Sequence, residues 1–279
     1  MDLLYAILLG ILQGLTEFLP ISSSGHLVIA QDIFNIQGAD LAFDVMLHLG
    51  TLVAVLIYYW QDVLNLISEF FILIGDFIKG KRPKLLDYSR PYRVLMVMII
   101  IATVPTAIIG LVFNDLFSRL FETADFVGYA LIVTGILLWI ANGIVSGRKD
   151  IKHMTAGDAV TVGLIQGLAI TPGISRSGST IFAGLIRGLN RELATRFSFL
   201  LSIPAILGAV VVEGKDVFEG ASALHEVMPV LAGFVAAAVS GYLAIRFLIS
   251  VLQKRKLNYF SYYCWAVGIL SILYTWFAA

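Results

Sequence analysis

Four stretches of this chain, Val94–Asn114, Phe126–Gly147, Val227–Ile245 and Leu257–Ala279, hold no charged residue. A helix crosses a bilayer with about 20 apolar residues, so each is long enough to span. Val45–Gln61 and Phe197–Val212 are slightly short and cross with modest local thinning. Six spans are predicted. Of 279 residues 59% are hydrophobic and only 14% charged, where a soluble domain carries about 25% charged. That excludes a disordered chain, a collagenous chain and an ordinary soluble enzyme. The 19 basic residues balance the 19 acidic ones, so charge points to no nucleic acid; the partner the composition requires is the lipid bilayer. A homo-oligomer is compatible with it. The lone Cys264 excludes an internal disulfide.

The rest of the chain is built differently. Leu3–Thr16 and Phe18–Gln31 are parted only by Glu17, and Ala159–Ser175 and Ser177–Ile186 only by Arg176. Each break is rich in helix breakers: Leu19-Pro20-Ile21-Ser22-Ser23-Ser24-Gly25, and Thr171-Pro172-Gly173-Ile174-Ser175-Arg176-Ser177-Gly178. Proline removes a helical hydrogen bond, and glycine permits tight turns. We read each pair as a re-entrant hairpin with a polar loop at membrane depth; the bland alternative is one kinked spanning helix in each place. Leu3–Thr16 lacks a basic flank and ends at Glu17, which argues against a signal peptide.

The breaks are related. Gly10–Gly25 aligns without a gap on Gly163–Gly178, offset by 153, with eight of 16 positions identical. The chain is therefore expected to be a single membrane domain of two repeats, residues 1–153 and 154–279. Its fold class is an all-α polytopic membrane protein, each half one re-entrant hairpin plus three transmembrane helices. Three spans per half is odd, so the second half is inverted and the hairpins approach from opposite faces. Basic residues cluster at Lys79–Arg93, Arg148–Lys152, Arg187–Arg196 and Lys254–Lys256, while the alternate loops, Asp115–Asp125 and Glu213–Glu226, are mostly acidic. The positive-inside rule then makes the basic loops cytoplasmic and both termini extracytoplasmic, in a multi-pass protein of the cell (inner) membrane. The stretch Asp62–Asp76 either extends the first span or lies along the interface.

The repeats differ where chemistry is expected. Glu17 aligns with Ile170, Ser23 with Arg176 and His26 with Ser179. Ionisable groups at membrane depth cost about 2.5–3.5 kcal/mol or more, which marks them as functional candidates. Arg176 offers a planar fork for phosphate oxygens. Ser22, Ser24, Gly25, Ser175, Ser177, Gly178 and Thr180 belong to an anion cradle of hydroxyls and backbone N–H groups. Ser23 and His26, three apart at a helix start, read as a nucleophile with its base. Glu17 either orients His26 or holds a divalent cation, and Gln13 shares its face. Each has a bland reading: the serines as helix caps, His26 as a buried structural histidine, Glu17–Arg176 as an ion pair. His48 is expected near the interface, and His153 and His225 in solvated loops. An inverted repeat with broken helices also suits a transporter or flippase of an anionic lipid.

The Ser24-Gly25-His26 and Ser175-Arg176 pairs suggest the lipid-phosphatase superfamily, but Phe182 stands where its second motif needs histidine. A closer match is Gly14-Leu-Thr-Glu-Phe-Leu-Pro-Ile-Ser-Ser-Ser-Gly-His26 with Pro172-Gly-Ile-Ser-Arg-Ser-Gly-Ser-Thr180. Together they resemble the signature of the undecaprenyl-diphosphate phosphatase, or bacitracin-resistance (BacA/UppP), family, over nearly the whole chain. The resemblance implies hydrolysis of a polyprenyl diphosphate to the monophosphate and inorganic phosphate, recycling the lipid carrier of cell-wall (peptidoglycan) synthesis, with Mg²⁺ or Ca²⁺. By position it makes Ser23 the nucleophile with His26 as competitor, His26 the acid/base, Arg176 the phosphate clamp and Glu17 an orienting or metal-linked carboxylate. The family often has glutamate where this chain has Gln13, which weakens a two-carboxylate metal site.

Overall fold

The computed structural model describes residues 3–33, 41–121, 124–219 and 227–278. Within them the chain forms twelve α-helices: α1 Leu3–Phe18, α2 Ser23–Ile33, α3 Leu41–Tyr58, α4 Trp60–Ile78, α5 Pro91–Val112, α6 Asn114–Phe121, α7 Ala124–Gly143, α8 Ala156–Leu168, α9 Arg176–Ile186, α10 Arg191–Glu219, α11 Val227–Gln253 and α12 Asn258–Ala278. A short 3-10 turn covers Ile151–His153. The described residues form no strand, only one isolated bridge between Lys149 and Leu189. His225 and residues 220–226 of the acidic loop lie outside the described residues.

Among the described residues five helices are long and apolar enough to cross a membrane: α5, α7, α10, α11 and α12. The sixth expected span begins in α3, but α3 and α4 are bent by 87° at Tyr59. The stretch Asp62–Asp76 therefore does not prolong that span; it turns across its end as α4.

Both sequence breaks are real helix breaks. α1 stops before Pro20, and α2 starts after Ser22, which holds a left-handed φ of 70°. α8 stops at Leu168, and α9 starts after Ser175; here the left-handed position is Gly173, at φ 85°. Glycine takes that conformation freely, whereas a serine there stores of order 1–3 kcal/mol of strain. At its far end α8 is set by a capping box of Thr155 and Asp158. The buried Asp158 carboxylate also holds Lys149 Nζ at 3.0 Å and Arg187 Nε at 2.9 Å.

Packing brings early and late helices together. α1 lies along α11, and α8 lies along α5, while α7 and α12 pack together. Small residues make the close approach. A side chain at Gly10 or Gly14 would strike the backbone of α11 at Gly233 and Ala237, and one at Gly163 would strike Ala102 of α5. The main core joins both halves, with Phe18, Leu95, Met98, Ile181, Phe197 and Phe199 in one cluster.

Candidate active site

The two breaks touch. A Cβ on Gly25 would come within 3.0 Å of Gly173 Cα, and one on Gly178 within 3.2 Å of Pro20. Ser177 Oγ reaches the Leu19 carbonyl at 3.4 Å. Thr134 of α7 clasps the second loop: its hydroxyl donates to the Gly173 carbonyl at 2.9 Å and accepts from Ser175 N–H at 3.0 Å.

Glu17 sits at this meeting point, at the buried end of α1. Its Oε2 accepts from Ser23 Oγ at 2.6 Å and from Gln13 Nε2 at 3.1 Å. Its Oε1 pairs with Arg176 Nη2. One carboxylate thus gathers a hydroxyl, an amide and the guanidinium of the other loop. The Arg176 side chain is 25% exposed against 2% for Glu17, so the pair is open on the arginine side. A small cavity there is lined by Glu17, Phe18, Arg176, Ser177, Ser198, Phe199 and Ser202.

The expected Ser23–His26 pair is not formed. Ser23 turns back over the break to Glu17, and both nitrogens of His26 are engaged elsewhere. Nδ1 lies 2.8 Å from the Ser22 carbonyl and Nε2 lies 2.9 Å from Tyr263 Oη. A carbonyl only accepts, so Nδ1 carries the hydrogen. In neutral His26, Nε2 then accepts from the tyrosine hydroxyl. Its lone pair is occupied, which disfavours His26 as the attacking group.

Ser22 and Ser175, repeat counterparts, spend their hydroxyls as caps. Ser22 Oγ accepts from Gly25 N–H at 3.3 Å and Ser175 Oγ from Gly178 N–H at 3.1 Å. Ser24 bonds Ser22 at 3.3 Å and Ser177 bonds Ser175 at 3.3 Å. Thr180 turns away toward Ser198 on α10, at 2.5 Å. Gln166, counterpart of Gln13, donates to Thr106 at 3.3 Å, and Thr106 donates to the Gly163 carbonyl. His48 bonds the Asp44 carbonyl at 2.8 Å within α3. His153 is exposed, and its hydrogen bond holds the Asp150 carboxyl below the usual range.

No three His, Cys, Asp or Glu side chains of the described residues come together as a metal cage. One oxygen near Glu17 nevertheless lacks a partner. Gln13 is fully buried, and its Oε1 makes no hydrogen bond. Its orientation is fixed, because only the NH₂ end can donate to Glu17. Gln13 Oε1 and Glu17 fit a hard cation that takes its other ligands from phosphate and water.

Three residues near the site, Tyr263, Ser198 and Ser202, were not singled out by the sequence. Tyr263 lies in a tyrosine-rich run on α12 and is exposed like Tyr259 and Tyr262, so nothing in the pattern separates it from them. Ser198 and Ser202 stand four apart on α10, a spacing that puts both on one face, but far from either motif.

The model of a protein family described as bacitracin resistance protein BacA matches residues 6–270. An undecaprenyl-diphosphatase of Alkaliphilus metalliredigens is 51% identical over 271 residues, covering 97% of this chain and 98% of that one. Proteins of the same name from Methanobrevibacter smithii and Carboxydothermus hydrogenoformans are each 47% identical, over 274 and 275 residues. They cover 98% of this chain and, respectively, 98% and 97% of their own.

Proposed function

This chain belongs to the bacitracin resistance protein BacA family, and on that premise we propose that it hydrolyses undecaprenyl diphosphate to the monophosphate and inorganic phosphate. One observation carries the chemistry: Ser23 Oγ donates to a carboxylate whose other oxygen is held by Arg176. Arg176 transfers its fork to the terminal phosphate, which leaves Glu17 free to accept a proton. Ser23 Oγ then attacks the terminal phosphorus and Glu17 takes its proton. The bond from that phosphorus to the bridging oxygen breaks, and the polyprenyl phosphate leaves. Water attacks the phosphoserine; Glu17 returns its proton to Ser23 Oγ, and phosphate and the proton from water depart. Such transfers depend mainly on positioning and charge stabilisation. His26, fixed by Ser22 and Tyr263, borders the reacting serine from the same helix turn. Ser24, Ser177 and the loop N–H groups line the anion path.

Gln13 and Glu17 would hold Mg²⁺ or Ca²⁺ together with the substrate. The ion would supply charge neutralisation to the diphosphate. The transporter reading is not favoured, because the relatives are named as diphosphatases.

The same reading includes the inverted repeat. The exchange of α1 onto α11 and α8 onto α5 supports two re-entrant hairpins related by symmetry, in halves 1–153 and 154–279. The basic loops support an inner-membrane protein with both termini outside. Modification of Lys254→Cys in intact cells by an impermeant thiol reagent would contradict that orientation.

Phosphate release by the purified protein tests the activity, and acid quenching followed by mass spectrometry tests the phosphoserine. Ser23→Ala is expected to abolish both. Near-normal turnover in Ser23→Ala would remove Ser23 as nucleophile.

A further inference from the structure

The helix α4 is built inside out for a helix facing water. Its three carboxylates, Asp62, Glu69 and Asp76, fall every seventh residue and so form one stripe. All three are consumed by the protein. Asp62 takes Arg196 Nε at 3.1 Å, Glu69 takes Arg90 and Arg93, and Asp76 takes Lys81 at 3.1 Å. The flank and far side carry Leu64, Ile67, Phe70, Phe71, Ile74, Phe77 and Ile78, all exposed, Ile78 by 81%. No residue of α4 is buried. Trp60, exposed at its start, is of the type that anchors at a membrane interface.

Two further features say what covers this face. The 87° bend at Tyr59 turns α4 across the end of α3, so if α3 spans, α4 runs along the surface. The chain leaving α4 then carries Lys79, Lys81, Arg82 and Lys84, all exposed. Lys81 is 64% exposed despite its pair with Asp76. Among the described residues the side chains of Lys79, Arg82 and Lys84 meet no acidic group. An apolar outer face ending in unpaired cations is complementary to one surface: acyl chains beneath anionic headgroups.

We propose that α4 lies flat in the leaflet beside the basic loops, its outer face among acyl chains and its Lys79–Lys84 loop gathering anionic phospholipid headgroups. This is a second lipid site, separate from the loops that hold Glu17 and Arg176, and it does not depend on the diphosphatase reading. The acidic stripe clamps the helix to α5 and α10, so the lipid contact is fixed to the body of the protein.

The full chain in nanodiscs tests this. Leu64→Cys, Phe71→Cys and Ile78→Cys are each labelled with a fluorophore, the native Cys264 being buried. Quenchers are placed at defined depths in phosphatidylcholine, with or without phosphatidylglycerol. The expected result is strong quenching at all three positions by shallow acyl quenchers and little by quenchers at the bilayer centre. A quencher on the phosphatidylglycerol headgroup should report enrichment at Ile78→Cys. Lys79→Gln, Arg82→Gln and Lys84→Gln should each lower it roughly fivefold, about 1 kcal/mol per charge. A depth gradient along α4, quenching only from water, or protection from every lipid quencher as under a protein partner would overturn the proposal. Equal enrichment of phosphatidylglycerol after the three substitutions would also overturn it.

Discussion

Ser23 Oγ donates a 2.6 Å hydrogen bond to Glu17 Oε2 across the break between α1 and α2. The hydroxyl and its hydrogen-bond acceptor are thus six residues apart in sequence, joined through a turn rather than along one helix face.

That contact makes Glu17→Gln a direct test. The amide keeps the size but is a poor base, and turnover should fall by about 10²–10⁴, the usual contribution of general acid–base catalysis. Raised Mg²⁺ should restore only the part of that loss that comes from weaker cation binding, not the part that comes from the lost base. Phosphate release across a Mg²⁺ titration is the measurement. Full recovery at high Mg²⁺ would leave Glu17 a cation ligand only. Gln13→Glu is the complement, and it should lower the Mg²⁺ concentration for half-maximal activity.

Arg176→Lys keeps the charge and loses the fork. Turnover should drop by about 10²–10³, as for loss of one preorganised donor to developing charge. The change should appear in kcat more than in KM. Steady-state kinetics on a diphosphate substrate check it.

Tyr263→Phe removes one hydrogen bond, from Tyr263 Oη to His26 Nε2. A hydrogen bond of about 0.5–1.5 kcal/mol corresponds to a roughly two- to twelvefold loss of kcat. KM should barely move, because Tyr263 acts through His26. An unchanged kcat would make this contact structural.

Gly173→Ala should be worse than Gly25→Ala. At Gly173 a Cβ meets Val127 and Ala130, and φ is 85°; the left-handed conformation adds about 1–2 kcal/mol. At Gly25 the nearest atom is 3.0 Å away, and the loops must separate slightly. Thermal unfolding in detergent should show the larger fall for Gly173→Ala, with activity reduced in both.

The sequence was most informative where repetition and helix breaking coincide. The offset between Gly10 and Gly163 marked the paired breaks, and Pro20, Pro172 and Gly173 marked where helices stop. Glu17 and Arg176 stood out as charges in apolar runs, and they meet. The Ser23–His26 spacing misled because it assumes that both side chains lean along the helix. Ser23 begins α2, where its side chain is free to turn back toward α1. Tyr263 and Ser198 come from helices whose apolar pattern does not distinguish a lipid-facing position from one facing the loops. The α3–α4 bend was unreadable for a similar reason: Tyr59 is neither proline nor glycine, and the turn is set by the ion pairs of Asp62 and Glu69 with distant arginines.

The exchange of α1 onto α11 has a consequence for the order of biosynthesis. Glu17 leaves the ribosome 159 residues before Arg176, an interval of about ten to thirty seconds at ordinary elongation rates. During it the carboxylate has no guanidinium, and α1 has no α11 to lie against. The helices α1 and α2 must wait near the membrane, still wet or transiently chaperoned, until the later helices arrive. A chain truncated before Arg176 should therefore leave Glu17 accessible to water-borne reagents. The finished protein should become resistant to them only after the last helices are inserted.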